Sequence, residues 1–126
     1  MGILNGLLGN ASQVDIAEIQ QELSRVLLPD EQIHRAYKII RDSFVFSSTR
    51  LILIDRQGLT GKKVSYMSIP YKSIRMFSVE TAGTFDLDAE LKIWIAGMAA
   101  PIAKQFRKGD AIFEVQVALA HYVAQA

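Results

Sequence analysis

Residues 81 to 95 read T-A-G-T-F-D-L-D-A-E-L-K-I-W-I. Phe85, Leu87, Ala89, Leu91, Ile93 and Ile95 fall on one side, and Asp86, Asp88, Glu90, Lys92 and Trp94 on the other. Strict period-two sorting of this length specifies a half-buried strand. A helix at 3.6 residues per turn would mix the two sets around its circumference. Ala82-Gly83-Thr84 supplies the bend that precedes the strand, which is expected over residues 84–96. The strand needs partners to pair with, so the rest of the chain must supply a β-rich fold.

The other segments supply it. Residues 1–12, with three glycines and two asparagines among aliphatics, are expected to form a loosely ordered arm. Residues 13–28 read as a helix with a stripe of Ile16, Ile19, Leu23, Val26 and Leu27, loaded with acid at its start by Asp15, Glu18 and Glu22 and stopped by Pro29. From Glu31 the period changes to two. Strands are expected from Glu31 to Arg41, Phe44 to Phe46, Leu51 to Asp55, Val64 to Pro70 and Arg75 to Thr81, then the acidic strand, then residues 102–107. Asp110 is placed to cap a last helix striped by Ile112, Val115, Leu119, Tyr122 and Val123. Seven short strands at roughly ten-residue spacing predict a sandwich or a barrel. One amphipathic helix after them can cover an open end.

The runs I-D-R-Q-G-L-T-G-K-K-V-S-Y-M-S-I-P-Y (Ile54 to Tyr71) and F-S-V-E-T-A-G-T-F-D-L-D-A-E-L-K-I-W (Phe77 to Trp94) resemble the bacterial pleckstrin-homology-like domains. The resemblance spans roughly residues 30–125. It implies a mainly β fold, a seven-stranded PH-like barrel with a C-terminal capping helix, to which this chain adds an N-terminal helix. It also implies assembly into ring-shaped homo-oligomers, and it carries over no catalytic residue and no ligand. The expected organisation is one globular domain, with residues 1–29 as arm and helix and 30–126 as the PH-like part. Lipid-binding PH domains hold phosphoinositide with several cations around the first hairpin. Here that hairpin offers Arg41 beside Asp42, and one solvent-screened cation is too few for such a headgroup.

Composition narrows the function classes. The chain has no cysteine, which excludes disulfides, thiolate zinc sites and a cysteine nucleophile, and fits a cytoplasmic location. A net charge of +1 gives no global attraction to nucleic acid. No apolar run is long enough for a membrane span. The apolar start lacks the positive region of a signal peptide, and Gly6 breaks the myristoylation pattern that Gly2 opens.

Three groups of residues are candidate sites. Asp86, Asp88 and Glu90 stand in a row at about 7 Å spacing. A hard cation needs six or more oxygens, so the row makes no metal site by itself, and glycosidase carboxylates face each other across a cleft. The row reads best as an oligomer contact that meets cations of another subunit, with Arg75, Arg50, Lys92 and Lys72 as candidate partners. Trp94, between the charges, is an interface anchor unless the N-terminal helix covers it. Arg56, Lys62 and Lys63 bracket a glycine-containing loop, an anion or lipid candidate that lacks the P-loop pattern and reads more simply as a solvated hairpin. Lys104, Arg107 and Lys108 form a second basic group. His34 and His121 have no partner at metal spacing, and no serine sits in a nucleophile elbow. The expectation is therefore a non-enzymatic, cofactor-free module that self-associates and binds protein. A peripheral membrane or phosphoinositide-binding module is the alternative.

Overall fold

The computed structural model describes residues 15–39, 41–81, 88–107 and 111–126. Its elements are α1 (Ile16–Glu22), β1 (Ile33–Ile39), β2 (Asp42–Ser47), β3 (Arg50–Gln57), β4 (Lys63–Pro70), a 3-10 turn (Tyr71–Ser73), β5 (Ile74–Thr81), β6 (Ala89–Ile95), β7 (Ile102–Phe106) and α2 (Ile112–Ala124). All seven expected strands are present, with ends shifted by a few residues. The bend at 82–84, the start of the acidic strand and the Asp110 cap lie outside the described residues.

The strands pair antiparallel in two sheets, β1-β2-β3-β4 and β5-β6-β7. The expected closed barrel is thus an open pair of sheets among the described residues. The chain turns from β4 into β5 through the 3-10 turn, whose Ser73 carbonyl accepts a bond from the Ala96 N–H at 2.8 Å. On the other side no ladder joins β7 to the first sheet among the described residues. Lys104 spans the gap instead, with its Nζ 3.0 Å from Asp42 and 3.7 Å from Asp55.

Alternation sorts the strands into two cores. Tyr37, Phe44, Phe46, Leu51, Leu53, Leu91, Ile93 and Phe106 face inward between the sheets, and α2 seals that core with Ile112, Val115, Ala118 and Leu119. Ile33, Ala36, Val45, Ile52 and Ile54 point the other way, off the outer face of the first sheet. There α1 and the turns after it lie on them with Ile19 and Leu23 buried and Ile16, Val26 and Leu27 alongside, the stripe expected from the sequence. β2 is consequently buried on both faces from Ser43 to Ser47.

α1 starts where the side chain of Asp15 accepts the Ala17 N–H at 2.9 Å. It is shorter than the helix expected over 13–28. After Glu22 the chain continues in turns, with Val26 and Leu27 N–H both bonded to the Leu23 carbonyl. Pro29 forbids the helix to continue, and one long-range and one local side-chain partner replace the missing helical bonds. Arg50 Nη2 donates to the Val26 carbonyl at 2.8 Å, and the Leu28 N–H donates to Glu31 Oε1 at 3.0 Å.

Candidate functional site

The outer face of β5-β6-β7 is built by cross-strand register. Glu80 stands opposite Glu90, Ser78 opposite Lys92, and Met76 opposite Trp94. On the other edge Gln105 flanks Glu90 and Ala103 flanks Lys92. Among the described residues no helix covers this face, because α1 packs on the first sheet and α2 on the inner core. One end of the face is apolar, with Met76 56% exposed and Trp94 half-buried beside it. The other end is acidic: Asp88 is exposed, and Glu80 and Glu90 are directly opposed. Like charges in that position repel. Glu90 draws partial relief from Gln105 Nε2 at 3.4 Å and Lys92 Nζ at 3.8 Å.

The structure thus gathers Asp88, Glu90 and Trp94 on one surface and adds Glu80 and Met76, which sequence reading missed. Strand register is the missing signal, since Glu80 and Met76 matter only once β5 is paired with β6. Asp86 lies outside the described residues. Arg75 is exposed at the irregularity between Ile74 and Met76. α1 does not cover Trp94. Among the described residues no cluster of His, Asp and Glu is arranged to hold a metal ion.

The basic loop is arranged differently from an anion cradle. Arg56 points back to α1, where its Nη2 grips both carboxylate oxygens of Glu22 at 2.6 and 2.8 Å. Its Nη1 donates to the Arg41 carbonyl at 3.1 Å. Arg41 in turn donates to the Gly58 carbonyl, which ties the first hairpin to the loop. Gly58 and Gly61 take φ of +82° and +70°, values that suit glycine in a tight tip. Lys62 and Lys63 are exposed, and Leu59 at the apex is fully so.

A second arrangement escaped sequence reading altogether. The Glu31 side chain is fully buried and accepts from Arg50 Nη2 at 2.7 Å and Nε at 2.9 Å, from Thr49 Oγ1 at 2.6 Å, and from Ser47 Oγ. Ser47 Oγ also accepts the N–H groups of Thr49 and Arg50, both at 3.1 Å, and Arg50 Nη1 reaches Ser68 Oγ at 2.8 Å. Arg50 beside it is the main reason the Glu31 carboxyl lies well below the usual carboxylate range, against the opposing effect of burial. Arg50 is therefore occupied within its own fold and is no partner for an acidic row elsewhere. This clamp fastens the α1–β1 connection to the β2–β3 turn. It has a structural part to play, with both Glu31 carboxylate oxygens engaged.

Comparison with known proteins gives a consistent picture. The family description "Bacterial PH domain" matches residues 2–123, so the likeness extends into the arm and helix that precede residue 30. The uncharacterized protein YjqA of Bacillus subtilis is 55% identical over 95% of this chain and 97% of its own length. The uncharacterized protein YozO of the same organism is 30% identical over 82% of this chain and 88% of its own. Among solved structures, a pleckstrin homology domain from Shewanella amazonensis superimposes with a TM-score of 0.84 at 55% identity, covering 96% of this chain and 98% of that one. A DUF1696 family protein with a pleckstrin-homology domain from Shewanella loihica gives 0.76 at 52% identity, covering 89% and 96%.

Proposed function

The chain belongs to the bacterial PH domain family, and on that premise we propose that it is a non-catalytic module that self-associates through the outer face of its three-stranded sheet and serves as a protein-binding scaffold. The observation that carries this reading is the composition of that face. A 56%-exposed methionine lies opposite a half-buried tryptophan, next to two directly opposed glutamates. Tryptophan is a frequent anchor of interfaces. The opposed carboxylates gain most from a partner that brings cations. An acidic face does not complement itself, so a two-fold contact between two such faces is disfavoured. It suits a head-to-tail contact in which another surface of the next copy, such as the exposed Lys62 and Lys63, meets it. A repeated head-to-tail contact that closes gives a ring.

Trp94→Ala removes the anchor, and Asp88→Lys reverses one charge of the face. Each is expected to weaken association about 30-fold or more, the effect of a hot-spot loss of roughly 2 kcal/mol. Sedimentation velocity across a concentration series reads this. Unchanged association by both variants, with unchanged thermal melting, would place the contact on another surface.

Leu59 supports a second reading, the peripheral membrane module. The apex leucine stands fully exposed between Arg56 and the pair Lys62 and Lys63. Inserting one leucine contributes about 2 kcal/mol, and each lysine near an anionic leaflet about 1 kcal/mol. A single tip therefore binds weakly, near the millimolar range, and several tips on one assembly bind far better. This is a surface contact and not a phosphoinositide pocket, since Arg56 is committed to Glu22. The expected result is salt-sensitive co-sedimentation with phosphatidylserine vesicles that Leu59→Ser abolishes. Equal pelleting of wild type and Leu59→Ser would remove this reading.

A further inference from the structure

At the C-terminal end of α2 a cleft of about 320 Å³ opens among several elements of the fold. Its walls come from His34 of β1, Ser48 and Thr49 of the β2–β3 turn, Pro70 at the end of β4, Tyr71 and Lys72 of the 3-10 turn, Tyr122 of α2, and Gln125 and Ala126 just after that helix. Tyr122 is the centre of an aromatic array. Its ring lies 5.1 Å from Tyr71 and 5.5 Å from Phe46, both nearly parallel, and 5.8 Å from His34. The Tyr122 hydroxyl and His34 Nδ1 share a hydrogen bond at 3.1 Å.

The presence of His34 here depends on an irregularity in β1. Ile33 and Ala36 both belong to the outer core under α1, whereas Tyr37 faces the inner one. Strict alternation would put Ile33 and Ala36 on opposite faces. The register shifts between Ile33 and Arg35, and this extra residue turns His34 away from the outer core and toward α2. Bulges of this kind redirect side chains at the rims of sheets and beside binding sites. Lys72 is exposed at the opposite wall and makes no ion pair among the described residues. No aspartate or glutamate side chain lines the cleft.

We infer that this cleft binds a small aromatic anion, a single ring bearing a carboxylate or a phosphate. Its volume is at the lower end of small-ligand sites, enough for one ring and its charged substituent. The ring packs on the wall of Tyr71, Tyr122 and His34, where edge-to-face and offset contacts both favour an aromatic over an aliphatic group. Lys72 supplies the charge-assisted hydrogen bond that the anionic substituent needs, and His34 offers its Nε2 as a further hydrogen-bonding atom, its Nδ1 being shared with Tyr122. The hydroxyl-bearing turn at Ser48 and Thr49 closes the polar side.

The test is a titration of isotope-labelled full-length chain, followed by amide and imidazole chemical shifts. Benzoate and phenyl phosphate are the probes and distinguish the two anion types. Benzyl alcohol, benzylamine and acetate vary the charge and the ring separately. Saturable shifts are expected at His34, Ser48, Lys72 and Gln125 for one or both aryl anions. Benzyl alcohol and acetate should each bind about tenfold more weakly or worse, the cost of losing one charge-assisted contact or one ring. Lys72→Glu, a change at an exposed position, should abolish the response without altering the rest of the spectrum. Equal shifts for acetate and benzoate, stronger binding of benzylamine, or an undiminished response in Lys72→Glu would each overturn the assignment.

Discussion

Arg50→Ala lowers the unfolding free energy by about 3–5 kcal/mol, the usual consequence of stripping one partner from a buried ion pair. A 126-residue domain has about 5–15 kcal/mol in total, so the variant is near the limit of folding. The effect is large because the fully buried Glu31 carboxylate keeps its charge through the two Arg50 bonds, with Thr49, Ser47 and the Leu28 N–H assisting. Arg50 also holds the Val26 carbonyl, so its loss frees the end of the N-terminal helical segment as well. Urea unfolding measures the loss. Replacing both partners with apolar residues, as in Glu31→Leu with Arg50→Met, should recover part of it, because no charge is then stranded. The same pair sets an acid response. The Glu31 pKa is depressed in the folded state, so its contribution is fully present above the unfolded value near 4.5 and is lost as the pH falls below it. Wild-type stability should therefore drop steeply with acid below about pH 4.5, and the Arg50→Ala profile should be shallower there. A wild-type curve parallel to that of the variant would show that the clamp is not what acid breaks.

Leu23→Ala is the second large effect, at about 2–5 kcal/mol. Leu23 is 0% exposed and sits on Val45, Ile52 and Ile54, so truncation opens a cavity between helix and sheet that the rigid strands cannot close. The consequence concerns the domain as a whole. The N-terminal helical segment packs onto a second core, held by Arg56 at Glu22, the last residue of α1, and by Arg50 and Glu31 at the turns that follow. A chain starting at residue 30 would leave Ile33, Ala36, Val45, Ile52 and Ile54 without their cover, and it should aggregate more readily than the chain of residues 1–126. A shortened chain that melts cooperatively at the full-length temperature would refute this.

Strands whose burial is one-sided were legible for that reason, whereas β2 and β3, buried on both faces, show as short continuous apolar runs. One-sided burial is clearest in β6, with Ala89, Leu91 and Ile93 buried and Glu90, Lys92 and Trp94 half-buried between them. The stripe of α1 was legible for the same reason at helical period. What could not be read were the facts that arise only when distant segments meet. Glu31 at the start of a strand looks like a solvated acid, and nothing in its neighbours announces an arginine nineteen residues away. Arg56 looks like part of a basic loop, yet its partner Glu22 is on a helix more than thirty residues earlier. The length of α1 was overestimated because apolar periodicity persists through Val26 and Leu27, while the backbone there bonds to itself in turns and to Arg50. The barrel became two sheets because period and spacing count strands without fixing which edges pair. On the outer face of β5-β6-β7 the sequence supplied Asp88, Glu90 and Trp94, and register supplied Glu80 and Met76.

The measurement that bears most directly on self-association is the mass in solution, by light scattering after size exclusion at low and high salt. The expected result is a multiple of the 14.0 kDa chain mass at low salt, with a shift toward smaller species at high salt, as screening weakens the contact between the acidic face and its cationic partner. A single species of 14.0 kDa at both salt concentrations and at high protein concentration would contradict it.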